Sequence, residues 1–397
     1  MNKSLKYVLT AICLPGLVAY KLFLGMKKPR SEKILFFSFP DFADNAKALY
    51  EFMRNEPQYE KYDFVWLIKD EKEMKRDLPR TSFVRLGSDL HFGIGTSAMK
   101  AISESGMIFY THTSPLRYVS EKKGQVIVNL WHGCGYKARK TPIPKKKQFD
   151  YGLVPGELFI PVKAKFWGCK AEQVLPIGYP RYDQLIHPSK EASDFAAEIK
   201  GEQKKLVLWM PTYRKTERNE FAVSKIKGYY EIPGLSDERE LAELDDFCKD
   251  SGIRLCIKRH PKQVRYACEM RDFSNITFLS HQDLEARGID LYGLMAHADA
   301  LITDYSSSAI DYLLLDRPLA FAVNDMEDYG AAQGFVFQDP LKYMPGEHLK
   351  SLRDFMGFLE DLKSERDPHA QERKEVYAVT HCPCDGYCER ICKYFGL

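Results

Sequence analysis

The chain has 397 residues, 45% of them hydrophobic and 28% charged, which is the composition of a globular protein long enough for two domains. Its net charge of +3 is nearly balanced, so no nucleic acid is expected as a partner. The sequence has no Gly-x-x-x-x-Gly-Lys-Ser/Thr loop, no Gly-x-Gly-x-x-Gly run after its first strand and no Gly-x-Ser-x-Gly elbow. These absences argue against an ATPase, an NAD-dependent enzyme and a hydrolase built on that elbow.

Residues 1–30 carry six basic and no acidic side chains around the apolar stretch Tyr7–Tyr20. A membrane-spanning helix needs about 20 apolar residues, so this segment is short for one. Basic flanks with an apolar middle are typical of an interfacial anchor on an anionic membrane surface. A secretory signal shares those features, but no small-residue cleavage site is evident, which favours a retained anchor. A plain docking helix is the third interpretation.

The first half of the chain alternates between strand and helix patterns. Apolar runs predict strands at 33–39, 63–68, 83–86, 106–112 and 125–133, and helical spacing predicts helices at 43–54 and 97–105. The short runs at 151–155 and 174–178 continue the alternation. Strands that alternate with helices indicate a parallel, doubly wound sheet.

The second half restarts the same alternation after a polar helical stretch at 188–205. Strands are predicted at 205–211, 253–258, 276–279 and 298–304, helices at 237–251, 290–298 and 367–395, and a long loop at 214–236. We therefore expect an α/β protein with two Rossmann-like domains. The predicted parts are the membrane-association segment 1–30, a first Rossmann-like domain 31–187, a second Rossmann-like domain 188–375 and a C-terminal helix 376–397 that crosses back to the first domain.

A serine-rich turn follows a short apolar run in "LITDYSSSAIDYLLLDR" at 301–317. The run predicts a buried strand that ends at Asp304 and a helix that opens on Ser306, Ser307 and Ser308. Such a helix start can bind phosphate, and a plain N-cap without a ligand is the alternative. The next strand leads to Glu327 and Asp328, so hydroxyls and carboxylates would gather at the ligand-binding edge of a sheet. A nucleoside diphosphate fits, with the serines at its phosphates and a carboxylate at its ribose.

Two histidines also follow predicted strands, and their near-neutral pKa suits proton abstraction from an alcohol. His132 stands between Trp131 and Gly133, and His260 follows Lys258 and Arg259. Cations beside His260 could neutralise charge on a pyrophosphate. Thr212 and Arg214 end another strand, and Arg214 could hold a phosphate through two hydrogen bonds. The alternatives are that His132 is a structural histidine, that the residues around His260 form a basic surface loop, and that Arg214 forms a surface salt bridge.

Six of the ten cysteines are scattered singly, which favours thiols in a reducing compartment. The other four form the pattern C-x-C-x3-C-x3-C at 382–392, just after His381. This cluster is compatible with a metal site, or with Cys384, Cys388 and Cys392 sharing one face of a helix. We predict no metal and no cofactor.

Five motifs in a fixed order carry a family resemblance. They are "NLWHGCGYKA" at 129–138, "VLPIGYPRYDQL" at 174–185, "VLWMPTYR" at 207–214, "LCIKRHP" at 255–261 and the serine turn extended through "PLAFAVNDMEDY". Over about residues 125–390 the chain resembles the CDP-glycerol glycerophosphotransferase family, the polyol-phosphate transferases of teichoic acid synthesis. The resemblance implies a GT-B fold with two facing domains and an interdomain cleft, in which 31–187 is the acceptor domain and 188–375 the CDP-donor domain. It also implies a catalytic role for His132 and a functional role for His260.

The predicted function is transfer of glycerol phosphate, or another polyol phosphate, from CDP-glycerol or a similar CDP-polyol, with release of CMP. The acceptor would be a hydroxyl of a lipid-linked saccharide or a polyol-phosphate chain, and the enzyme would lie peripherally at the cytoplasmic face of the membrane. The predicted substrate-binding residues are Gly133, Thr212, Arg214, Lys258, Asp304, Ser306, Ser307, Ser308, Glu327 and Asp328. Two alternatives are a GT-B glycosyltransferase that uses a nucleotide sugar and a non-catalytic scaffold, and the presence of both histidines argues against the scaffold.

Overall fold

The computed structural model describes residues 3–70, 72–87, 93–140, 142–212, 235, 237–258 and 273–397, with side chains from residue 12 onward. The strands are β1 Arg30–Phe37, β2 Asp63–Ile68, β3 Thr81–Arg85, β4 Ser105–Tyr110, β5 Val126–Asn129, β6 Tyr151–Leu153, β7 Val174–Leu175, β8 Lys205–Trp209, β9 Ile253–Lys258, β10 Ile276–Leu279, β11 Ala300–Thr303, β12 Leu319–Ala322 and β13 Glu347–Leu349.

The helices are α1 Lys3–Met26, α2 Asp44–Asn55, α3 Thr96–Glu104, α4 Phe159–Trp167, α5 Tyr182–Ile186, α6 Lys190–Lys200, α7 Glu238–Ser251, α8 His281–Ala286, α9 Leu291–Met295, α10 Ser308–Tyr312, α11 Met326–Gln333, α12 Leu352–Lys363, α13 Ala370–Thr380 and α14 Tyr387–Tyr394. They belong to two compact units. Unit 1 comprises Met1–His132, Ile143–Arg181 and Gly386–Leu397, and unit 2 comprises Gly133–Pro142 and Tyr182–Asp385.

Unit 1 is built on a seven-stranded sheet in the order β3-β2-β1-β4-β5-β6-β7, with every neighbouring pair parallel. Parallel strands are covered on both faces, which is why the central strands are continuous apolar runs rather than alternating ones. Ile34 to Phe37 of β1 and Phe64 to Ile68 of β2 are accordingly all buried. The C-terminal α14 is part of this unit, and its Cys388 lies against Ala48 of α2.

Unit 2 repeats the architecture with six parallel strands in the order β10-β9-β8-β11-β12-β13. Trp209 of β8 packs on Phe355 of α12 with ring centroids 4.6 Å apart in a buried apolar core. In both units the strand order reverses after the first strand, as in doubly wound nucleotide-binding folds. The predicted α/β class with two Rossmann-like parallel sheets is therefore confirmed.

The predicted helix at 367–395 is wrong as a single element. It is two helices, α13 and α14, separated by a stretch that contains Pro383, and proline cannot continue a helix. Cys382 and Cys384 precede α14, so Cys384 does not share a helix face with Cys388 and Cys392. Among the described residues, no three His, Cys, Asp or Glu side chains form a group that could hold a metal ion, and no described cysteine forms a disulfide.

The N-terminal segment is one helix, α1, with Pro15 inside it. None of the helices in the described part of the chain combines the length and the apolar character that crossing a membrane requires.

Candidate active site

Ligands of open α/β sheets bind beyond the carboxyl ends of the strands where the strand order reverses. That point lies between β1 and β4 in unit 1 and between β8 and β11 in unit 2. The residues that follow these strands are therefore the candidates for chemistry. In unit 1 they include Asp44, His112 and, after the adjacent β5, His132.

The His132 ring lies between two other aromatic rings of unit 1. The His112 ring stacks on it with centroids 4.1 Å apart and planes 12° from parallel, and the Trp131 ring lies 4.1 Å away on a tilt of 32°. The Lys163 ammonium lies 4.7 Å from the Trp131 ring centroid, and this lysine is only 5% exposed. Flat neighbours with few accessible rotamers restrict the orientation of the imidazole.

The main chain around His132 is held by α2 and by Arg181. The Arg181 guanidinium donates to Asp44 Oδ1 at 2.7 Å and to the His132 carbonyl at 3.2 Å. The Asn45 amide donates to the Trp131 carbonyl at 2.9 Å and accepts from the Arg181 N–H at 3.2 Å. Consecutive carbonyls at Trp131 and His132 are thus fixed by charged and amide donors.

Two of these residues have a backbone conformation that L-residues with side chains rarely adopt. Trp131 has φ +56° and Asp44 has φ +60°. Each such residue costs of order 1–3 kcal/mol, and such residues cluster at functional sites, where the surrounding contacts maintain them. The Arg181 and Asn45 hydrogen bonds supply those contacts here.

The electrostatic surroundings keep His132 neutral. Burial lowers the pKa of His132 well below its ordinary value, and His112, Lys163 and Arg181 lower it further because a second positive charge beside them is unfavourable. Loss of solvent contact also lowers the pKa of His112, against the opposing effect of Asp44. A neutral imidazole at pH 7 can accept a proton.

The chain leaves unit 1 at His132 and enters unit 2 through Gly133, which has φ +122°. Within unit 2, Gly135 lies so close to the serine turn that a Cβ there would stand 2.9 Å from the Ser307 nitrogen and 3.0 Å from its Cα. Only glycine fits this approach without displacing backbone. Further along, the Tyr136 hydroxyl donates to the Tyr343 carbonyl at 2.7 Å.

Asp304 links the ends of β8 and β11 in unit 2. Its carboxylate is fully buried and accepts hydrogen bonds from both the backbone N–H, at 2.7 Å, and the hydroxyl of Thr212. The structure thus brings together two residues predicted to bind substrate. The hydrogen bonds between them hold the two strand ends in register.

The serine turn differs from the predicted helix start. Ser306 Oγ accepts from the Ser308 N–H at 3.3 Å, whereas the N-cap, Ser307, makes no side-chain capping bond. The helix α10 has only five residues before a 3-10 turn, so its dipole is weaker than a longer helix would provide. The hydroxyls of Ser306 and Ser307 remain partly accessible. The turn can therefore offer a ligand hydroxyl and backbone N–H donors, but not the dipole of a long helix.

Glu327 and Asp328 are exposed at the start of α11. They line a cavity of about 360 Å³ beyond β12 and β13, together with His348 and Lys350. The adjacent Asp325 is buried and accepts a hydrogen bond from the Tyr305 hydroxyl at 2.9 Å. The cavity therefore combines carboxylates with the Lys350 ammonium group.

Lys258 ends β9 at the same edge of the unit 2 sheet, and burial lowers the pKa of its ammonium group. The predicted roles of Arg214 and His260 fall on residues outside the described part of the chain.

Sequence reasoning missed Asp44, Asn45 and His112 as parts of the His132 site. Arg181 stands in the motif at 174–185 that carries part of the family resemblance, but its contact with the His132 carbonyl was not predicted. His112 carried a usable signal, because it also follows a predicted strand. Asp44 and Asn45 carried none, since only the folded sheet brings them beside His132.

A comparison with protein families matches residues 18–394 to the model for CDP-glycerol:poly(glycerophosphate) glycerophosphotransferases. The chain is 25% identical over 389 residues to the teichoic acid ribitol-phosphate primase of Bacillus spizizenii, covering 91% of this chain and 90% of that protein. It is 25% identical over 360 residues to the teichoic acid glycerol-phosphate primase of Bacillus subtilis, covering 83% of each.

Solved structures of other proteins share the fold of this chain. The wall teichoic acid polymerase TagF, in an H444N variant soaked with CDPG, matches with a TM-score of 0.74 and 20% identity over 100% of this chain and 98% of that one. A UDP-N-acetylglucosamine 2-epimerase from Listeria monocytogenes matches more distantly, with a TM-score of 0.53 and 11% identity over 92% of this chain and 97% of that one. Both likenesses concern the fold.

Proposed function

The chain belongs to the CDP-glycerol:poly(glycerophosphate) glycerophosphotransferase family, and from this premise we propose how its residues carry out the transfer. The enzyme moves a polyol phosphate, glycerol phosphate in the first instance, from its CDP ester to a hydroxyl group and releases CMP. The acceptor is a lipid-linked saccharide or a growing polyol-phosphate chain.

His132 is the general base in this proposal. Its neutral ring takes the proton of the acceptor hydroxyl while the oxygen attacks the phosphorus that bears the glycerol. The bond between that phosphorus and the bridging oxygen breaks, the bonding electrons leave with CMP, and a phosphodiester forms. Positioning and charge stabilisation carry most of such a reaction. The aromatic neighbours and the Arg181 contact support the positioning of His132.

The donor lies on unit 2 in this proposal. The hydroxyls of Ser306 and Ser307 and the cation of Lys258 stabilise the pyrophosphate, with Arg214 and His260 as further predicted partners. Glu327 accepts hydrogen bonds from the ribose, which the cavity beside it would admit. A carboxylate at ribose hydroxyls is a frequent arrangement in doubly wound folds.

One observation carries the proposal: the segment that follows His132 packs on the serine turn. Gly135 touches Ser307 within unit 2, and His132 stands three residues earlier in the chain. Three residues of extended chain span at most about 11 Å between Cα atoms. Covalent connection alone thus keeps the base within a short distance of the predicted pyrophosphate site.

The test is CMP release from CDP-glycerol, with CDP-ribitol and UDP-sugars assayed in parallel and a lipid-linked disaccharide as acceptor. We expect CMP release from one or both CDP-polyols and its loss in His132→Ala. His187→Ala is the matched control, because His187 is an exposed histidine of unit 2. Turnover that survives in His132→Ala would remove His132 as the base, and release of UDP in place of CMP would make the protein a glycosyltransferase.

The membrane partner is a further part of the proposal. Large apolar side chains of α1 are exposed, among them Ile12, Leu22 and Met26 at 68%, 68% and 78%, and basic residues follow the helix at Lys27 and Lys28. Such a segment suits peripheral binding to anionic lipid, and the scattered cysteines favour the cytoplasmic face. Leu22→Glu should reduce co-sedimentation with phosphatidylglycerol vesicles. Unchanged co-sedimentation would contradict the proposed contact surface.

A further inference from the structure

The segment that follows His132 lies outside the six-stranded sheet of unit 2 and pairs instead with the chain just beyond α11. The Ala138 N–H donates to the Gly334 carbonyl at 3.0 Å, and the Val336 N–H donates to the Tyr136 carbonyl at 2.8 Å. The two hydrogen bonds run in opposite directions, as they do between antiparallel strands. Residues 136–138 and 333–336, called the loop pairing below, are thus joined through their main chains.

A side chain adds a third hydrogen bond to the loop pairing. Gln333 is the last residue of α11, and its Nε2 donates to the Ala138 carbonyl at 3.0 Å. Ala138 therefore uses both its N–H and its carbonyl here. Between the two main-chain bonds, Lys137 lies opposite Phe335 in an antiparallel bridge. The segment after His132 is in this way attached to the end of a helix, which is a rigid element of unit 2.

The turn from α11 into the loop pairing requires glycine. Gly334 has φ +74°, a conformation that residues with side chains rarely adopt. A Cβ built on Gly334 would also stand 3.3 Å from the Ala138 Cβ. The Gly334 N–H closes the last turn of the helix on the Gly330 carbonyl at 2.8 Å. The close approach of the two chains therefore depends on this residue.

The loop pairing also contacts the residue before the serine turn. The Phe335 ring centroid lies 5.3 Å from that of Tyr305 and 5.8 Å from that of Tyr329, a buried residue of α11. Tyr305 directly precedes Ser306. Its own ring is buried, and its hydroxyl donates to the buried Asp325 at 2.9 Å. Phe335 therefore packs on a tyrosine whose ring and hydroxyl are both held in place.

Tyr136 anchors the segment between the serine turn and the loop pairing. Its side chain is fully buried, and its hydroxyl donates to the Tyr343 carbonyl at 2.7 Å. Burial raises the pKa of Tyr136, so the hydroxyl stays protonated and remains a donor. The preceding residue, Gly135, is the one that approaches the backbone of Ser307. The contact with the serine turn and the contacts with α11 thus lie on neighbouring residues of one short segment.

We propose that Gln333 and Phe335 are positioning residues for the transfer reaction, because they hold the segment after His132 on the serine turn. This rests on the proposed function, in which His132 is the base and the serines bind the pyrophosphate. Both residues act through the backbone of residues 136–138, which begin four residues after His132. Since a misplacement of about 1 Å can cost about a hundredfold in rate, their loss should lower kcat. The KM for the donor should change little, because neither residue is assigned a contact with it.

The first test is steady-state kinetics of CMP release in Gln333→Ala and Gln333→Glu. An ionised glutamate has nearly the size of glutamine but cannot donate to the Ala138 carbonyl. We expect both variants to lower kcat at least about tenfold, with the KM for CDP-glycerol changed by less than about twofold. Phe335→Ala should show the same split, and Phe335→Leu should recover part of kcat. Gln371→Ala is the matched control, because Gln371 is an exposed glutamine of α13 in unit 2. A parent-like kcat in both Gln333 variants, or a raised KM at unchanged kcat, would overturn the proposal.

The second test is amide hydrogen exchange without substrate. Gln333→Ala should speed exchange in peptides that cover residues 133–140 and 334–340, while peptides from β8 and α12 exchange as in the parent. Unchanged exchange in the first two peptides would refute the proposal, and so would faster exchange throughout unit 2, which indicates a general structural role. Because this measurement needs no donor, it tests the loop pairing even if no CDP-polyol gives CMP release, the result that would defeat the proposed function alone.

Discussion

Removing the Arg181 side chain should uncouple the His132 segment from α2. The Arg181–Asp44 pair is almost buried, with side chains 6% and 14% exposed. Breaking a buried ion pair by deleting one partner costs about 3–5 kcal/mol, because the remaining charge stays desolvated. Since Asp44 retains slight solvent access, we expect Arg181→Gln to lower the free energy of unfolding of unit 1 by about 3 kcal/mol. A domain with about 5–15 kcal/mol of stability would remain folded.

A double-mutant cycle tests whether the unpaired Asp44 carboxylate causes the loss of stability in Arg181→Gln. Asp44→Asn removes that charge, and asparagine tolerates the positive φ of this position. We expect the double variant to be about 2 kcal/mol more stable than the sum of the single losses predicts. Arg30→Gln is the control, because the Arg30–Asp63 pair of unit 1 is 54% and 55% exposed and its loss should cost at most about 1 kcal/mol.

The assay is urea unfolding followed by tryptophan fluorescence and circular dichroism. Three of the four tryptophans, Trp66, Trp131 and Trp167, belong to unit 1, so fluorescence reports mainly on that unit. The reasoning would be refuted by an Arg181→Gln loss below about 1 kcal/mol, which is the size of a surface pair. The reasoning would also be refuted if the stability losses of the two single variants added up to the loss in the double variant.

Gly135→Ala should abolish CMP release while leaving the protein folded, because its Cβ would meet the backbone of Ser307 at 2.9 Å; Gly357→Ala, where the Cβ meets open space, should be silent in the same assay. Retained activity in Gly135→Ala would show that the loop can shift freely. His112→Phe should keep the ring stack but remove a group whose protonation lowers the pKa of His132. The pKa of His132 should rise, so the acid limb of kcat/KM should move to higher pH, while activity on the alkaline side of the limb stays unchanged. Lys163 and Arg181 also lower the pKa of His132, but both are present in the two proteins and do not account for a difference between them. A limb that moves to lower pH would exclude this account.

Much of the sheet architecture could be predicted from the chain. Apolar runs gave β2 at 63–68, β9 at 253–258 and β10 at 276–279 with the bounds that the structure has. β2 and β9 lie inside parallel sheets, where both faces are buried and the sequence signal is a continuous apolar run, and β10 lies at the edge of its sheet. Prediction was poorer where signals are local and weak, as at the serine turn, where the helix starts at Ser308 and has only five residues.

The candidate site was predictable only in part. His132 and the serines carried a signal because each directly follows a strand, and the parallel topology then places them at a ligand-binding edge. Asp44 and Arg181 are 137 residues apart in the chain, and their pairing depends on how β1, β4 and β5 are ordered in the sheet. No periodicity within a sequence window contains that information. The positive φ angles at Trp131 and Asp44 are equally invisible in the sequence.

The chain passes between the two units at His132, Pro142, Arg181 and Asp385. Neither unit is therefore a continuous stretch of the chain. A cut at any single position divides at least one of the units between two fragments. A chimaera that exchanges unit 2 with that of a relative would have to carry residues 133–142 along with residues 182–385. This interleaving limits modular recombination, and changes in the properties of unit 2 are then expected to accumulate by point substitution within an intact pair of units.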